Sequence, residues 1–205
     1  MLFRSLPEYR KTVRDAQADV IRLTDLSTSL LELASARLDS RTVSRAPIRI
    51  DELASSVARS LAPLAREHRA TLELDVPDTT VEVDRTRIEH ALGNLVSNAI
   101  VHGGGGIVTV RCRIDGSGAG QSLRVEVLDS SPGIGADHPE VLFEPFRRGA
   151  AARGGGSGLG LATVASAVSA HGGTYGAADR DGGGARFWFT VPCDVVEPSA
   201  GPSRA

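Results

Sequence analysis

The stretch Gly154–Gly173, GGGSGLGLATVASAVSAHGG, restricts the fold more than any other part of the chain. A glycine-rich loop opens a run of small apolar residues, Leu159 to His171, that Gly172-Gly173 closes. This predicts a loop, a buried helix and a stop. Successive glycine N–H groups can converge on an anion, and the positive end of the following helix favours phosphate. Two common phosphate loops are excluded. A Walker A loop ends in Gly-Lys-Ser/Thr, and Lys11 is the chain's single lysine. The dinucleotide fingerprint needs Gly-x-Gly-x-x-Gly after a strand, whereas Gly156, Gly158 and Gly160 are spaced Gly-x-Gly-x-Gly and no strand leads in. No Gly-x-Ser-x-Gly elbow surrounds Ser157, so a hydrolase nucleophile is not expected there. A glycine loop without any ligand has the same composition, so other residues must decide.

At 205 residues the chain suits one domain plus a smaller element, and 41% hydrophobic residues allow a real core. A net charge of -2 gives no electrostatic case for nucleic acid. Cys112 and Cys193 are isolated, which argues against zinc and a disulfide framework and fits a reducing compartment. No apolar run reaches membrane-spanning length, and MLFRSLPEYR does not read as a leader. The expected location is cytoplasmic, with a membrane anchor open to a longer parent.

Val13, Ala16, Val20, Leu23, Leu30, Leu33, Ala34 and Leu38 recur at spacings of three and four, predicting one long helix from Pro7 to Leu38. Roughly 30 residues would span ~45 Å, and such a stripe needs a helical partner. Pro47 to Ile50 alternates like a strand, and Asp51 is the expected N-cap of a helix to about His68. Thr71–Val76 and Val81–Asp84 read as paired strands across Pro77-Asp78. A helix is expected over Thr86–His102, strands over Ile107–Ile114 and Leu123–Asp129, and a last strand over Ala185–Val191. Asp194–Ala205 reads as a disordered tail. The mixture predicts an α+β fold, a mixed sheet with helices on one face.

Three stretches bear on chemistry. In RIEHALGNLVSNAIVH, Asn94 and Asn98 are one helical turn apart and face the same way. Their amide oxygens suit Mg²⁺, or they are solvated surface amides. In VLDSSPGIG, a strand runs into Asp129, whose carboxylate can accept from an exocyclic amine or start a turn. In VLFEPFRRG, Phe143 and Phe146 flank a proline as anchors of a loop, and Arg148 could grip a phosphate.

In order, Asn94-x3-Asn98, Asp129-x3-Gly133-x-Gly135, Phe143-Glu144-Pro145-Phe146 and Gly156-x-Gly158-x-Gly160 resemble the N, G1, F and G2 boxes of the ATP-binding domain of sensor histidine kinases. That domain belongs to the superfamily of gyrase, chaperone and mismatch-repair ATPases. The resemblance implies a two-layer α/β sandwich of the Bergerat type over residues 47–193. Residues 1–40 resemble the second helix of a dimerisation hairpin. ATP and Mg²⁺ are the implied cofactors. Asn98 would hold the metal, Asn94 would assist at the triphosphate, and Asp129 would bind the adenine amine. Gly133, Ile134 and Gly135 would pass close to the nucleotide, with His102 beside it. Arg148 would contact phosphate. Residues from Arg147 to Ser157 would form an ATP lid hinged at Gly156, Ser157, Gly158, Leu159 and Gly160.

In the hydrolysing members a Glu precedes the magnesium Asn by four residues and activates water. Here that residue is Asn94, which cannot act as a general base. The site therefore resembles one that passes the γ-phosphoryl to a protein. Two departures stand out: Ser131 replaces the first glycine of the G1 box, and Val101 replaces a common basic residue. Ser131 is tolerable if its φ stays negative. None of His68, His90, His102, His138 and His171 has the acceptor's context. All five read as structural or solvent-facing. The implied acceptor is a histidine on a dimerisation helix of a longer parent or a split-kinase partner, with a response regulator downstream and a homodimer if the hairpin is complete. The alternatives are a serine kinase of the anti-sigma-factor type and a nucleotide-gated module without transfer.

Overall fold

A computed structural model describes residues 43–135, 138–147 and 158–196, together with Thr12, which is helical. The expected helix from Pro7 to Leu38 and the dimerisation remnant otherwise lie outside the described residues. Strands β1 (Ala46–Arg49), β2 (Ala70–Asp75), β3 (Thr80–Val83), β4 (Gly106–Asp115), β5 (Ser122–Leu128), β6 (Thr174–Asp179), β7 (Ala185–Pro192) and β8 (Asp194–Val196) combine, among the described residues from 43 on, with three α-helices. These are α1 (Ile50–Glu67), α2 (Arg85–His102) and α3 (Gly160–Ala170).

A five-stranded sheet runs in the order β2-β4-β5-β7-β6, and a three-stranded sheet in the order β1-β3-β8. In the larger sheet β2 lies parallel to β4 and the other pairs are antiparallel. One face of it is dry: Val108, Val110 and Cys112 alternate inward on β4, Leu123, Val125 and Val127 on β5, and Phe187, Phe189 and Val191 on β7. Helices cover that face, giving the expected α+β two-layer architecture. Cys112 faces this core, and its burial pushes the thiol up to about 12. It stays a protonated, unreactive packing group at neutral pH.

Helix α2 is the central support. Ile88, Leu92, Leu95, Val96, Ala99 and Ile100 recur on one side and are fully buried, which leaves Asn94 and Asn98 on the flank. The Asp84 carboxylate caps its start by accepting from the Arg87 amide at 3.2 Å. It packs against α1 and α3 and over β4 and β5. His171, just after α3, ties the two helices together. Its Nδ1 donates to the Ala167 carbonyl at 2.8 Å and its Nε2 accepts from the Asp84 amide at 3.2 Å. Burial holds this imidazole below its usual range, so it is neutral.

Three expectations change. β2 and β3 do not pair: β2 is an edge of the large sheet, and β3 is the centre of the small one. Alternation records which face is buried but not which strand lies alongside, and fully buried Val81 and Val83 draw β3 to β1 and β8. The N-cap of α1 is Arg49, and Asp51 sits in the first turn. There it accepts from the Arg49 guanidinium at 2.7 and 3.1 Å. The tail does not begin at Asp194, because Asp194–Val196 complete the small sheet as β8. Two registers supply that order: Val81 lies opposite Val195, and the Cys193 amide donates to the Gln121 carbonyl. β6 has no alternating apolar signal and was not anticipated.

Candidate functional site

The site is laid out along α2. Asn94, Asn98 and His102 are spaced four apart and are all half-buried on one flank. The Asn94 Nδ2 donates to the His90 carbonyl one turn back, at 3.0 Å, which fixes the amide and turns its oxygen outward. That oxygen faces the start of α3: a Cβ at Gly160 would lie 3.0 Å from the Asn94 Oδ1. The N-box helix and the end of the glycine loop therefore meet here, and a side chain at Gly160 would press on the Asn94 amide. Among the described residues the Asn98 side chain has no hydrogen-bond partner, so its amide is available to a ligand.

At the other end of α2 stands Asp129. A Cβ at Gly103, just past the helix, would be 3.4 Å from the Asp129 Cβ. Asp129 is 2% exposed, the one carboxylate among the buried residues described. Its Oδ1 accepts from the amides of Ser131 (2.8 Å) and Ala185 (3.0 Å). Oδ2 has no partner among the described residues. No buried side-chain oxygen is left unsatisfied there, so Oδ2 keeps a path to solvent. A carboxylate oxygen set this way is a hydrogen-bond acceptor held in a fixed direction.

The turn after Asp129 accommodates its non-glycine residue. Positive φ among described non-glycine residues is confined to Arg69 and Phe146, so Ser131 avoids the left-handed region. Its Oγ accepts from the Gly133 amide at 3.1 Å. The condition set for Ser131 is thus met, and the serine adds a bond that glycine could not. Gly133 and Gly135 do need their freedom, at φ 103° and 69°.

Phe146 and Gly158 are tied together. The Phe146 amide donates to the Gly158 carbonyl at 2.9 Å, joining the two ends of the segment between them. Gly158 has φ 71°, and a Cβ there would overlap the backbone of Phe146 and Arg147. Of the two expected aromatic anchors only Phe143 is one, because Phe146 is held at the surface by its turn. Phe143 is buried against Tyr175, ring centres 4.6 Å apart, and Phe146 is 63% exposed. Leu159 is fully buried, and its carbonyl accepts from the Thr163 amide at 2.9 Å. Arg148, Gly156 and Ser157 lie outside the described residues. The five histidines do not cluster into a metal site: no group of His, Cys, Asp or Glu suited to a metal ion occurs among the described residues. A cation here would depend on amide oxygens and its ligand.

Sequence reasoning missed the β6–β7 hairpin. The Asp179 Oδ1 accepts from the Ile134 amide at 2.6 Å, and the Arg180 Nη1 donates to the Asp129 carbonyl at 2.7 Å. The run Asp179-Arg180-Asp181-Gly182-Gly183-Gly184 has turn composition, which does not reveal which loop it touches.

Comparison with known proteins agrees with this geometry. The family model "Histidine kinase-, DNA gyrase B-, and HSP90-like ATPase" matches residues 83–195. The probable sensor histidine kinase TcrY of Mycobacterium tuberculosis is 33% identical over 92% of this chain, which spans 40% of that protein. The sensor histidine kinase component HK1 of the same species is 38% identical over 57% of this chain and 67% of its own length. Among solved structures, full-length ShkA in complex with AMPPNP superposes with a TM-score of 0.77 at 28% identity, covering 97% of this chain and 41% of ShkA. The ThkA histidine kinase catalytic domain superposes at 0.62 with 29% identity, over 72% of this chain and 95% of that domain. The ordered boxes, the two-layer sandwich and these matches agree: the chain belongs to the histidine kinase-, DNA gyrase B- and HSP90-like ATPase family, as an ATP-binding catalytic domain of the sensor histidine kinase type.

Proposed function

We propose that the chain binds Mg-ATP along the flank of α2 and passes the γ-phosphoryl to a histidine on a dimerisation helix. The acceptor belongs to a longer parent or a partner subunit. The observation that carries this reading is Asp129: a buried carboxylate with one oxygen fixed by two amides and the other left for an exocyclic amine. Asn94 lies nine residues before Gly103, or ~13 Å along the helix, which suits a base at one end and a triphosphate at the other.

Asn98 would hold Mg²⁺ through its amide oxygen. The ion supplies charge neutralisation at the phosphates. Asn94 orients the phosphates and cannot take a proton from water, so it favours transfer to a protein over hydrolysis. Gly158, Leu159 and Gly160 present the backbone at the start of α3, and Arg148 adds a guanidinium after the F box. His102 and Ile134 border the base. A response regulator downstream and a homodimer through residues 1–40 complete the two-component arrangement. Among the described residues no helix is long and apolar enough to cross a membrane. This fits catalysis on the cytoplasmic side of a parent kinase.

Calorimetric titration of Mg-ATP tests the site: Asn98→Ala and Asp129→Ala should each weaken binding, and unchanged affinity in both would refute it. Incubation with γ-labelled ATP and a dimerisation-domain partner tests transfer. Acid-labile label on the partner supports a histidine acceptor. Acid-stable label points to serine, and no label to a nucleotide-gated module.

A further inference from the structure

The β6–β7 hairpin contains none of the four boxes, yet it grips the G1 loop at both ends. At the start of the loop the Arg180 guanidinium reaches the Asp129 carbonyl at 2.7 Å, and the Ala185 amide reaches the Asp129 Oδ1 at 3.0 Å. At the far end the Asp179 Oδ1 takes the Ile134 amide at 2.6 Å. The hairpin itself is stiffened by two 3.0 Å bonds, Arg180 N–H to the Gly184 carbonyl and Gly183 N–H to the Arg180 carbonyl.

Two glycines supply the clearance. A Cβ on Gly184, at φ 99°, would overlap the Asp129 carbonyl oxygen. A Cβ on Gly133, at φ 103°, would overlap the Asp179 carboxylate. Without these contacts, a loop holding Gly133 and Gly135 would have many conformations open to it. The local bonds from Ser131 fix only its first turn. Asp179 and Arg180 are exposed, so neither serves to fill the core.

We infer that Asp179 and Arg180 are positioning residues for base selection: they hold the G1 loop so that the Asp129 Oδ2 meets an adenine amine in one direction. This rests on the proposed role of Asp129. The Asp179 and Arg180 side chains touch only the backbone of the loop, so they act on where the carboxylate points.

The test is competition calorimetry with ATP and GTP on the whole chain, paired with thermal denaturation. Asp179→Ala and Arg180→Ala should each weaken ATP binding about tenfold, the size of one charge-assisted hydrogen bond. The preference for ATP over GTP should fall, with the melting midpoint nearly unmoved. Asp179→Asn keeps an acceptor oxygen and should restore both affinity and preference. Unaltered ATP affinity in the two alanine variants, while Asp129→Asn loses it, overturns the inference and leaves the nucleotide site standing. Equal losses for ATP and GTP with a lowered midpoint assign the hairpin a merely structural part and also overturn it. If Asp129→Asn binds ATP like the original chain, the reading of Asp129 falls and the inference with it.

Discussion

Asp129, at one end of the site, is 2% exposed and joins four hydrogen bonds through its amide, carbonyl and Oδ1. Phe146, at the other end, is 63% exposed, adopts φ 64° and is fastened through its amide to the Gly158 carbonyl. The Asp129 end is thus built during folding, and its ordering entropy is spent before any ligand arrives. The Phe146–Gly158 end is set by one turn geometry that a single side chain could disturb.

The strongest way to break the comparison is Asp129→Ala. It removes the proposed base acceptor and strands the Ser131 and Ala185 amides, costing about 2–3 kcal/mol of stability. ATP affinity should fall on the order of a hundredfold, two hydrogen-bond increments. Urea denaturation and calorimetry read the two effects. Asp129→Asn separates them, since it can keep the Oδ1 bonds and should lose affinity with little loss of stability.

Gly158→Ala attacks the lid end. With φ at 71° and the Phe146 backbone in the way, an alanine must shift the hinge, at a cost of about 1–3 kcal/mol. Binding of ATP should weaken several-fold, while adenosine, which has no phosphates, should bind as before. An equal loss for both ligands would erase the distinction between the two ends.

His171 gives a smaller, pH-dependent effect. Burial lowers its pKa in the folded state, so the unfolded chain binds the extra proton more readily. Its contribution is complete above the ordinary imidazole range and is lost as pH falls below about 6.5, by at most about 1.4 kcal/mol per pH unit. Denaturation at pH 7.5 and 5.5 should show this slope, and His171→Gln should flatten it. The smallest effect belongs to Asp75, which pairs with Arg111 and Arg113 on the open side of the sheet. Asp75→Asn should leave ATP affinity unchanged and barely move the midpoint, because exposed pairs are screened by water.

Much of the site was legible because its parts are local. Asn94 and Asn98 share a flank by helical period alone, and Asp129 ends a strand that alternates cleanly. The hairpin was not legible. Asp179 and Ile134 are far apart in sequence, and their contact exists because β7 pairs with β5 and carries β6 beside it. The expected β2–β3 hairpin failed for the same reason, since strand choice is a non-local decision.

What the sequence by itself determined is therefore the set of chemical groups and their order: two amides, a carboxylate, two phenylalanines and a glycine-rich turn. Those follow from period and local turn chemistry, which need only near neighbours. What only the tertiary structure decided is direction. Asp129 points one oxygen outward because Ala185, from a strand 56 residues later, occupies the other, and Asn94 meets Gly160 because α3 packs on α2. Such contacts depend on how the buried faces close together, and no short window of the chain contains both partners.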